Sequence, residues 1–464
     1  MSSETRALAG SYIRLAVAYF ILVTFMWTVG IEGIYGHPAP FYAFLRPAFQ
    51  FDNLLWIVQA MLVVPTLLFV TLSALKHHRL LESDMGKGTE GRLIAWFILL
   101  AFVLPASIAM MRGGLDGISD AYNRQSYEYI GDIGKVGNIK ALFARYEEIH
   151  EYFSMHAKVH PPGPIVILWL MSYIVGQSPL GLSLATMAFG AFSVVPFYLW
   201  IRELFNQRVA IQTTLLYIFV PTIVIFSATS ADITFMPFTL FTLFLFTLSI
   251  NRGTLRYALA AGVMYAFCSL ISFSLVSIGA FFGLMGLWKL RESKTRFNVV
   301  VTAGGMIASL LLTHYLVWLW SGFNVFNVFE LSKAQFDTDQ AMLDIYDPRY
   351  PSWVFKILNP LSWFYFAGLP VSLLCIRQIF QRGGDHRALF VIIGITLVAF
   401  DILYLARGEG ERSAMYILPF VLIPAGYFMA QMTQKTNSLQ PLALTLAFLA
   451  LQCWLTEAIL YTYW

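Results

Sequence analysis

Long apolar runs are the sequence feature that most restricts how this chain can fold. Several of them exceed the ~20 residues that an α-helix needs to cross about 30 Å of hydrocarbon. Of the 464 residues, 58% are hydrophobic and only 12% are charged, about half the charged share of a typical soluble domain. The sequence therefore predicts an all-α, polytopic integral membrane protein.

About thirteen apolar runs are predicted to be transmembrane helices. The run 257–287 is divided in two, because it is too long for one untilted helix. Cys268, Cys375 and Cys453 lie inside apolar runs and have neither metal-ligand spacing nor a disulfide framework. The predicted spans are 11–32, 53–75, 93–111, 181–200, 209–226, 232–250, 257–272, 273–287, 298–319, 357–376, 388–405, 413–432 and 438–460.

Basic loops indicate the orientation, since positively charged loops stay on the cytoplasmic side. The N-terminus is then inside and the C-terminus outside. The segment 112–163 lies outside, and one crossing connects it to the inner loop 202–208. The apolar run 163–176 is therefore predicted to be an interfacial helix, because it is too short to span and Pro161 and Pro162 fix its start. The other inner loops are 76–92, 251–256, 289–296 and 377–387, and the other long outer loops are 33–52 and 320–356.

Four carboxylates occupy the first part of the acidic outer loop, in "RGGLDGISDAYNRQSYEYIGDIGKVGN". They are Asp116, Asp120, Glu128 and Asp132. Carboxylates at a membrane surface can act as general bases toward a lipid-facing acceptor. The alternative is a solvated loop in which these residues fill turns and helix caps, and composition alone favours that alternative.

Two histidines and an aspartate add polar groups to the same predicted face. His156 and His160 are four residues apart, a spacing that a metal pair can use. Pro161 disfavours helix at His160, so a contact to a substrate phosphate or plain loop structure is favoured over a metal. Asp232 begins a span, where an N-cap and a substrate-binding carboxylate are equally good interpretations.

The segment "ARGEGERSAMYILPF" crowds charges into an outer corner between two spans. Arg407 and Arg412 suit a phosphate, which arginine binds through bidentate charge-assisted hydrogen bonds. The alternative is an ion-paired turn with Glu409 and Glu411, and the prediction favours function. In the loop 336–353, Tyr346 could stack on a sugar or belong to an interfacial aromatic belt.

These features, in this order, resemble the C-type glycosyltransferase superfamily of polyprenyl-phosphate-sugar-dependent membrane enzymes. The chain looks most like the protein-mannosyltransferase and aminoarabinose-transferase branch. The resemblance covers roughly residues 93–432. It rests on the acidic loop "SDAYNRQSYEYIGDI", the "HPPG" start of a short helix, the span that ends in the basic turn "YLWIRELFNQRVA", the span that begins with the Asp of "SATSAD", and "GEGER" before "MYILPF".

The resemblance implies an outer-loop carboxylate as catalytic base, which deprotonates an acceptor hydroxyl that attacks the anomeric carbon with inversion. The family's usual "DE" pair is absent here. Asp132 is favoured as the base, followed by Asp120, with Asp116 and Glu128 behind them. The donor phosphate would be held by Arg407 and Arg412, oriented by Glu409 and Glu411, with His160, Lys158 and the substrate-binding candidates His156, Asp232 and Tyr346 nearby.

The resulting prediction is a glycosyltransferase that moves a hexose or pentose from a polyprenyl-phosphate donor to a lipid, glycan or protein acceptor. No cofactor is required by the motifs, metal dependence stays open, and no nucleic acid is expected. Residues 1–92 would add two helices and a basic loop to a catalytic domain over 93–434, and 435–464 a last helix. The predicted location is the bacterial inner membrane, with the site on the outer face.

Two alternatives belong to other classes of protein. A transporter or flippase of lipid-linked sugars would need ionisable groups near mid-membrane, broken helices and internal repeats. A non-catalytic scaffold would have no reason to crowd carboxylates and arginines on one face. The sequence places its charges at span ends and shows no clear repeat, so both alternatives rank below the enzyme.

Overall fold

The structure is a computed structural model that describes residues 2–28, 48, 54–77, 86–346, 352–404 and 406–462. Helices make up its secondary-structure elements, which confirms the all-α prediction. The α-helices are α1 (Ser3–Thr28), α2 (Leu54–His77), α3 (Lys87–Ala109), α4 (Leu115–Asn123), α5 (Ile139–Ile149), α6 (Met155–Lys158), α7 (Gly163–Val175), α8 (Pro179–Ala191), α9 (Val194–Leu204), α10 (Gln207–Phe219), α11 (Pro221–Phe226), α12 (Phe235–Arg252), α13 (Leu255–Ile271), α14 (Gly279–Lys289), α15 (Arg296–Ser321), α16 (Val325–Tyr346), α17 (Ser352–Phe366), α18 (Leu369–Phe380), α19 (Arg387–Leu403), α20 (Gly410–Ser413), α21 (Leu418–Lys435) and α22 (Gln440–Ile459).

Seven of the described helices are long and apolar enough to cross a membrane, or eight if one bent pair counts as a span. The protein is accordingly an integral membrane protein with multiple spans, while the total of about thirteen stays a prediction. The seven are Leu54–Lys76, Gly88–Arg112, Pro179–Leu204, Ala231–Arg252, Arg296–Ser321, Met415–Lys435 and Gln440–Ile459.

Two predicted spans are not continuous helices. The span predicted over 357–376 is bent by 110° between Trp353–Phe366 and Leu369–Phe380. Gly368 has a φ of +91° at the bend, a left-handed conformation that favours glycine. The span predicted over 209–226 breaks before Pro221, because a proline disfavours helical geometry in the residue that precedes it.

The division of 257–287 falls where the sequence predicted it. Helix α13 ends at Ile271, and a 3-10 helix, Phe273–Ile278, follows before α14. The short helix after the proline pair, α7, has 13 residues, as expected for a segment that does not span. A Cβ on its first residue, Gly163, would lie 2.3 Å from the Leu270 carbonyl oxygen, so this helix begins directly against the end of α13.

The loops predicted to be cytoplasmic gather at one end of the bundle. Arg202 pairs with Glu90, and Arg252 pairs with Glu203 at 2.9 Å. The span Ala231–Arg252 ends at this basic face, and its other end carries Asp232. The basic loops and the charged residues singled out at Asp232 therefore lie at opposite ends of the same helix.

The last helix, α22, is fixed to the rest of the bundle by buried polar contacts. Glu457 forms an ion pair with Arg112, and the two side chains are 1% and 5% exposed. Thr445 shares a hydrogen bond of 2.9 Å with Tyr12 of α1. The last helix thus contacts both Arg112 and the first helix, and the three-part division of the chain stays a prediction.

Candidate functional site

Arg412 is a buried residue at the centre of a group of charged side chains from four parts of the chain. Its guanidinium is surrounded by Glu128, His156, Asp232 and Glu409, and these five residues are called the Arg412 cluster below. The glutamate at 128 precedes a 3-10 helix, and the histidine lies in α6. The aspartate starts the span that contains α12, and the second glutamate precedes α20.

The distances within the Arg412 cluster are those of ion pairs. Nη2 of Arg412 donates to Oε2 of Glu409 at 2.9 Å, and Nε lies 3.4 Å from Oδ2 of Asp232. Nη1 lies 3.8 Å from Oε1 of Glu128. His156 bridges the group, with Nδ1 3.1 Å from the same Glu128 oxygen and Nε2 3.4 Å from Nη2 of Arg412.

Backbone hydrogen bonds in the outer loop bring Glu128 beside His156. The amide of Met155 donates to the Ser126 carbonyl at 3.2 Å, and the amide of His156 donates to the Tyr127 carbonyl at 3.1 Å. These two bonds align the residues before Glu128 with the start of α6. Backbone hydrogen bonds therefore position Glu128 and His156, in addition to the ion pair between their side chains.

Unbalanced charges in the Arg412 cluster are costly, because two of its charged side chains are almost fully buried. The Glu128 side chain is 2% exposed and the Arg412 side chain 6%. Three carboxylates surround one guanidinium, so the group carries an excess of negative charge when all three are ionised. Burial lowers the pKa of His156, but the Glu128 carboxylate outweighs it, and the net pKa lies above the usual value for histidine. The raised pKa favours the protonated form of His156, which offsets part of the excess negative charge.

Three buried polar atoms at this cluster have no hydrogen-bond partner among the described residues. They are Oε2 of Glu128, Nε of Arg412 and Nδ1 of His160. Most buried polar atoms in proteins are hydrogen-bonded, because an unpaired one costs about 1–3 kcal/mol. Nε of Arg412 is already in the ion pair with Asp232, so the Glu128 and His160 atoms are the two that a polar ligand could satisfy.

His160 lies close to the Arg412 cluster. Burial, together with the charges of His156 and Arg412, lowers the pKa of His160 to about 3. The ring is therefore neutral at physiological pH. Tyr129 lies between the two histidines, with ring centroids 6.1 Å from His156 and 5.9 Å from His160.

Asp132, the favoured base, has a different environment from Glu128. Its carboxylate is fully buried and accepts hydrogen bonds from the amide of Ser154 at 3.1 Å and from its hydroxyl at 2.6 Å. Lys135 donates to it at 2.6 Å. These contacts hold the 3-10 helix Tyr129–Lys135 to the start of α6 and occupy the oxygens that a base would need.

Asp120 and Asp116 lie on the surface of α4. Asp120 pairs with Arg124 at 2.6 Å, and both side chains are more than a third exposed. Asp116 is exposed in the first turn of the helix. The structure does not bring either residue into the Arg412 cluster.

The other charged residues of the segment 407–412 have different environments from one another. The Arg407 guanidinium lies over the Phe355 ring at 5.8 Å and is half-buried. Glu411 is buried and accepts a hydrogen bond from the Ser362 hydroxyl at 2.7 Å, so it faces α17. Glu409, by contrast, pairs directly with Arg412, as the prediction that a glutamate orients an arginine requires.

The remaining predicted site residues are less informative. Lys158 is half-buried next to the cluster in sequence, and its carbonyl contacts Nε2 of His150 at 2.7 Å. Tyr346 ends α16, and its side chain lies outside the described residues. Within the described ranges, no group of three or more histidines, cysteines and carboxylates is arranged to hold a metal ion.

Sequence reasoning named all five members of the Arg412 cluster but did not group them. It also missed Tyr129, which has a buried side chain and whose pKa is raised mainly by that burial. The available signal was its position directly after Glu128 in an aromatic segment.

The comparison with protein families matches the middle of the chain. The family model described as dolichyl-phosphate-mannose-protein mannosyltransferase matches residues 159–320. This stretch begins one residue before His160 and includes Asp232. The match confirms, for these residues, the resemblance to the protein-mannosyltransferase branch of the C-type glycosyltransferases.

Solved structures similar to this chain include the oligosaccharyltransferase of Archaeoglobus fulgidus. One, tethered to an acceptor peptide, has 14% identity and a TM-score of 0.42 over 78% of this chain and 56% of that chain. Another, in complex with an inhibitory peptide and a dolichol-phosphate, has 13% identity and a TM-score of 0.39 over 74% and 51%. The chain thus spans just over half of that protein's length, and no curated protein matches it.

Proposed function

We propose that the protein is an integral-membrane glycosyltransferase that moves a sugar from a polyprenyl-phosphate donor to an acceptor hydroxyl. The observation that carries the proposal is the Glu128 carboxylate, which is buried, bonded through one oxygen to His156 and unpaired at the other. The mannosyltransferase family match over residues 159–320 supports the reaction class.

Glu128 is proposed as the base in place of Asp132. A base needs an oxygen free to take a proton within hydrogen-bond reach of the acceptor. Oε2 of Glu128 has no partner, whereas both oxygens of Asp132 accept hydrogen bonds from Ser154. Asp132 is accordingly proposed to hold the outer loop in shape.

The transfer step requires one bond to form as another breaks. The acceptor oxygen attacks the anomeric carbon as Oε2 of Glu128 takes its proton. The bond between that carbon and the phosphate oxygen breaks, and polyprenyl phosphate leaves with the electron pair, so the configuration inverts. His156 orients the Glu128 carboxylate and balances its charge until the proton arrives.

Arg412 is proposed as a positioning residue, because three carboxylates already engage its charge. Arg407 is the better candidate for the departing phosphate. It lies on the same corner, is half-buried and lies over the Phe355 ring, and a guanidinium is the group best suited to bidentate phosphate binding.

We further propose the outer face of the bacterial inner membrane as the location. The basic loops gather at the end of the bundle opposite to Asp232, and basic loops face the cytoplasm. The acceptor is a lipid, a glycan or a protein, and the sugar is a hexose or a pentose.

The test is sugar transfer from radiolabelled polyprenyl-phosphate sugars to membrane extracts. Wild type is compared with Glu128→Gln, and with Asp132→Asn and Asp120→Asn as matched carboxylate controls, all checked for folding. We expect transfer by the wild type and its loss in Glu128→Gln with donor still bound. Absence of transfer with every donor, together with donor movement across vesicles, would replace the enzyme with a flippase.

A further inference from the structure

One face of α17 carries three polar side chains that contact the end of α19 and the segment that follows it. Lys356, Asn359 and Ser362 occur at intervals of three residues, and positions with this spacing lie on the same side of an α-helix. Each of the three donates a hydrogen bond to this part of the chain. Residues 406–412 are called the arginine segment below, because they include both arginines of the charged corner.

Lys356 satisfies the backbone at the end of α19. Its Nζ donates to the carbonyl oxygens of Asp401 at 2.7 Å, Tyr404 at 2.6 Å and Ile402 at 3.3 Å. The last carbonyls of a helix have no partner inside the helix and carry a partial negative charge, so an ammonium group stabilises them. This contact fixes the place from which the arginine segment continues.

Asn359 holds the backbone immediately before Arg407. Its Nδ2 donates to the Ala406 carbonyl at 3.1 Å. Phe355 lies four residues earlier in α17, and its ring lies 5.8 Å from the Arg407 guanidinium. The same face of α17 therefore contacts both the backbone that leads into Arg407 and the charged end of its side chain.

Ser362 and Trp363 hold the other end of the arginine segment. The Ser362 hydroxyl donates to Oε2 of Glu411 at 2.7 Å. A Cβ on Gly410 would lie 2.8 Å from Nε1 of Trp363, so the backbone at this point lies directly against the indole ring. The next residue along is Arg412, which means that α17 contacts the segment close to both of its arginines.

These contacts fix a position more narrowly than apolar packing does. Apolar contacts depend mainly on the buried area and have little directional preference, whereas a hydrogen bond weakens steeply away from its preferred angle. Asn359 and Ser362 are buried in a mostly apolar helix, where a polar side chain is costly unless it has a partner. Both find that partner in the arginine segment.

We infer that Lys356 and Asn359 are positioning residues for Arg407, which they hold where its guanidinium binds the phosphate of the lipid donor. The inference rests on the proposed function, because it assigns the residues that place the proposed phosphate ligand. A guanidinium binds a phosphate through two parallel hydrogen bonds, so the orientation of its plane matters. Lys356 and Asn359 act through Arg407 and do not themselves contact the phosphate.

Binding of polyprenyl phosphate without a sugar to the detergent-solubilised full chain tests the inference. Lys356→Met removes the ammonium group, and Asn359→Leu removes the amide while keeping a similar shape. We expect each to bind about tenfold more weakly. Lys356→Arg keeps a cation with N–H donors and should restore most of the affinity. Lys333→Met is the matched control, because Lys333 pairs with Asp337 on the exposed surface of α16, and it should bind like the wild type.

A double-mutant cycle distinguishes positioning from a general loss of structure. Arg407→Ala should itself weaken binding. Adding Lys356→Met to it should cause little further loss, because the lysine acts through the arginine that is already absent. A structural role independent of Arg407 gives additive losses instead. Unfolding temperatures are measured for every variant, and Asn359→Leu takes the place of Lys356→Met in the cycle if the latter does not fold.

The outcomes separate this inference from the proposed function. The inference is overturned if Lys356→Met and Asn359→Leu bind like the wild type, if Arg407→Ala does so, or if the losses in the cycle are additive. Sugar transfer by the wild type together with any of these results leaves the glycosyltransferase intact. Lipid binding that follows the expected pattern, without transfer from any donor, overturns the glycosyltransferase and leaves the positioning of Arg407 for a lipid phosphate intact.

Discussion

Glu128 and Asp132 are two buried carboxylates of one loop, four residues apart, and the protein treats them in opposite ways. Asp132 is fully enclosed by Ser154 and Lys135, and its oxygens are hydrogen-bonded. Glu128 is almost as buried, yet one of its oxygens has no partner. Burial alone therefore does not distinguish a reactive carboxylate from a structural one.

The difference lies in which part of the chain supplies the partners. The partners of Asp132 come from the same outer loop, so its contacts stabilise that loop locally. The partners of Glu128 include Arg412, which comes from a distant corner of the sequence. A site assembled from separate segments leaves room between them, and that is where an unpaired atom can face a ligand.

The largest expected effect comes from Glu128→Gln. The amide cannot take a proton, so transfer should fall by about 10³-fold, within the range for loss of a general base. Because glutamine keeps the shape of the side chain, the unfolding temperature should stay close to that of the wild type. Initial rates of transfer at saturating donor give the answer, and transfer above a tenth of the wild-type rate would exclude Glu128 as the base.

The second prediction concerns stability and not rate. Asp132→Asn removes the charge that Lys135 contacts and should lower the free energy of unfolding by about 2 kcal/mol, since a buried ion pair loses one partner. Folded Asp132→Asn should still transfer sugar. Denaturant or detergent titration of the purified protein measures the first effect, and loss of transfer in a fully folded sample would reverse the roles of the two carboxylates.

The third prediction is that the stability of the folded state depends on pH through the ion pair of Glu128 with His156. The carboxylate raises the pKa of His156 above its usual value of about 6.5. Protonation of His156 then stabilises the folded state. This contribution is complete below about pH 6.5 and is lost as the pH rises through the raised pKa.

Thermal unfolding of the wild type and of Glu128→Gln across this pH range gives the difference directly. The wild type should lose stability relative to the variant as the pH rises above about 6.5. Parallel curves for the two proteins would mean that Glu128 does not hold the proton on His156.

The smallest expected effect comes from Asp120→Asn. Its ion pair with Arg124 is exposed on α4, and exposed pairs contribute little, with a median of about 0–1 kcal/mol. Both the transfer rate and the unfolding temperature should stay near the wild-type values. A large loss of transfer would show that the site extends to the surface of α4 and that unpaired atoms are a poor guide to it.

The sequence predicted the helices well where a run of apolar residues decides the outcome alone. The split near Ile271 and the short helix after Pro162 follow from length and proline chemistry, and both are present. The 110° bend at Gly368 was not predicted. A single glycine among apolar residues gives little warning, because its left-handed φ depends on contacts with helices elsewhere in the chain.

The candidate site was predictable in its members and not in its arrangement. Charged residues are scarce in this chain, so each one at a predicted outer end is a candidate for the site. Their grouping was not, since His156 and Arg412 are 256 residues apart. The preference for Asp132 came from its place in an aromatic segment, and only the hydrogen bonds of Ser154 reveal that its oxygens are occupied.

The close contact between the "HPPG" segment and α13 has a consequence for protein engineering. Gly163 lies against the Leu270 carbonyl with no space for a side chain. A chimaera that exchanges the outer loop alone would separate two surfaces that fit each other. Grafting the loop together with the last turn of α13 keeps these two surfaces in contact.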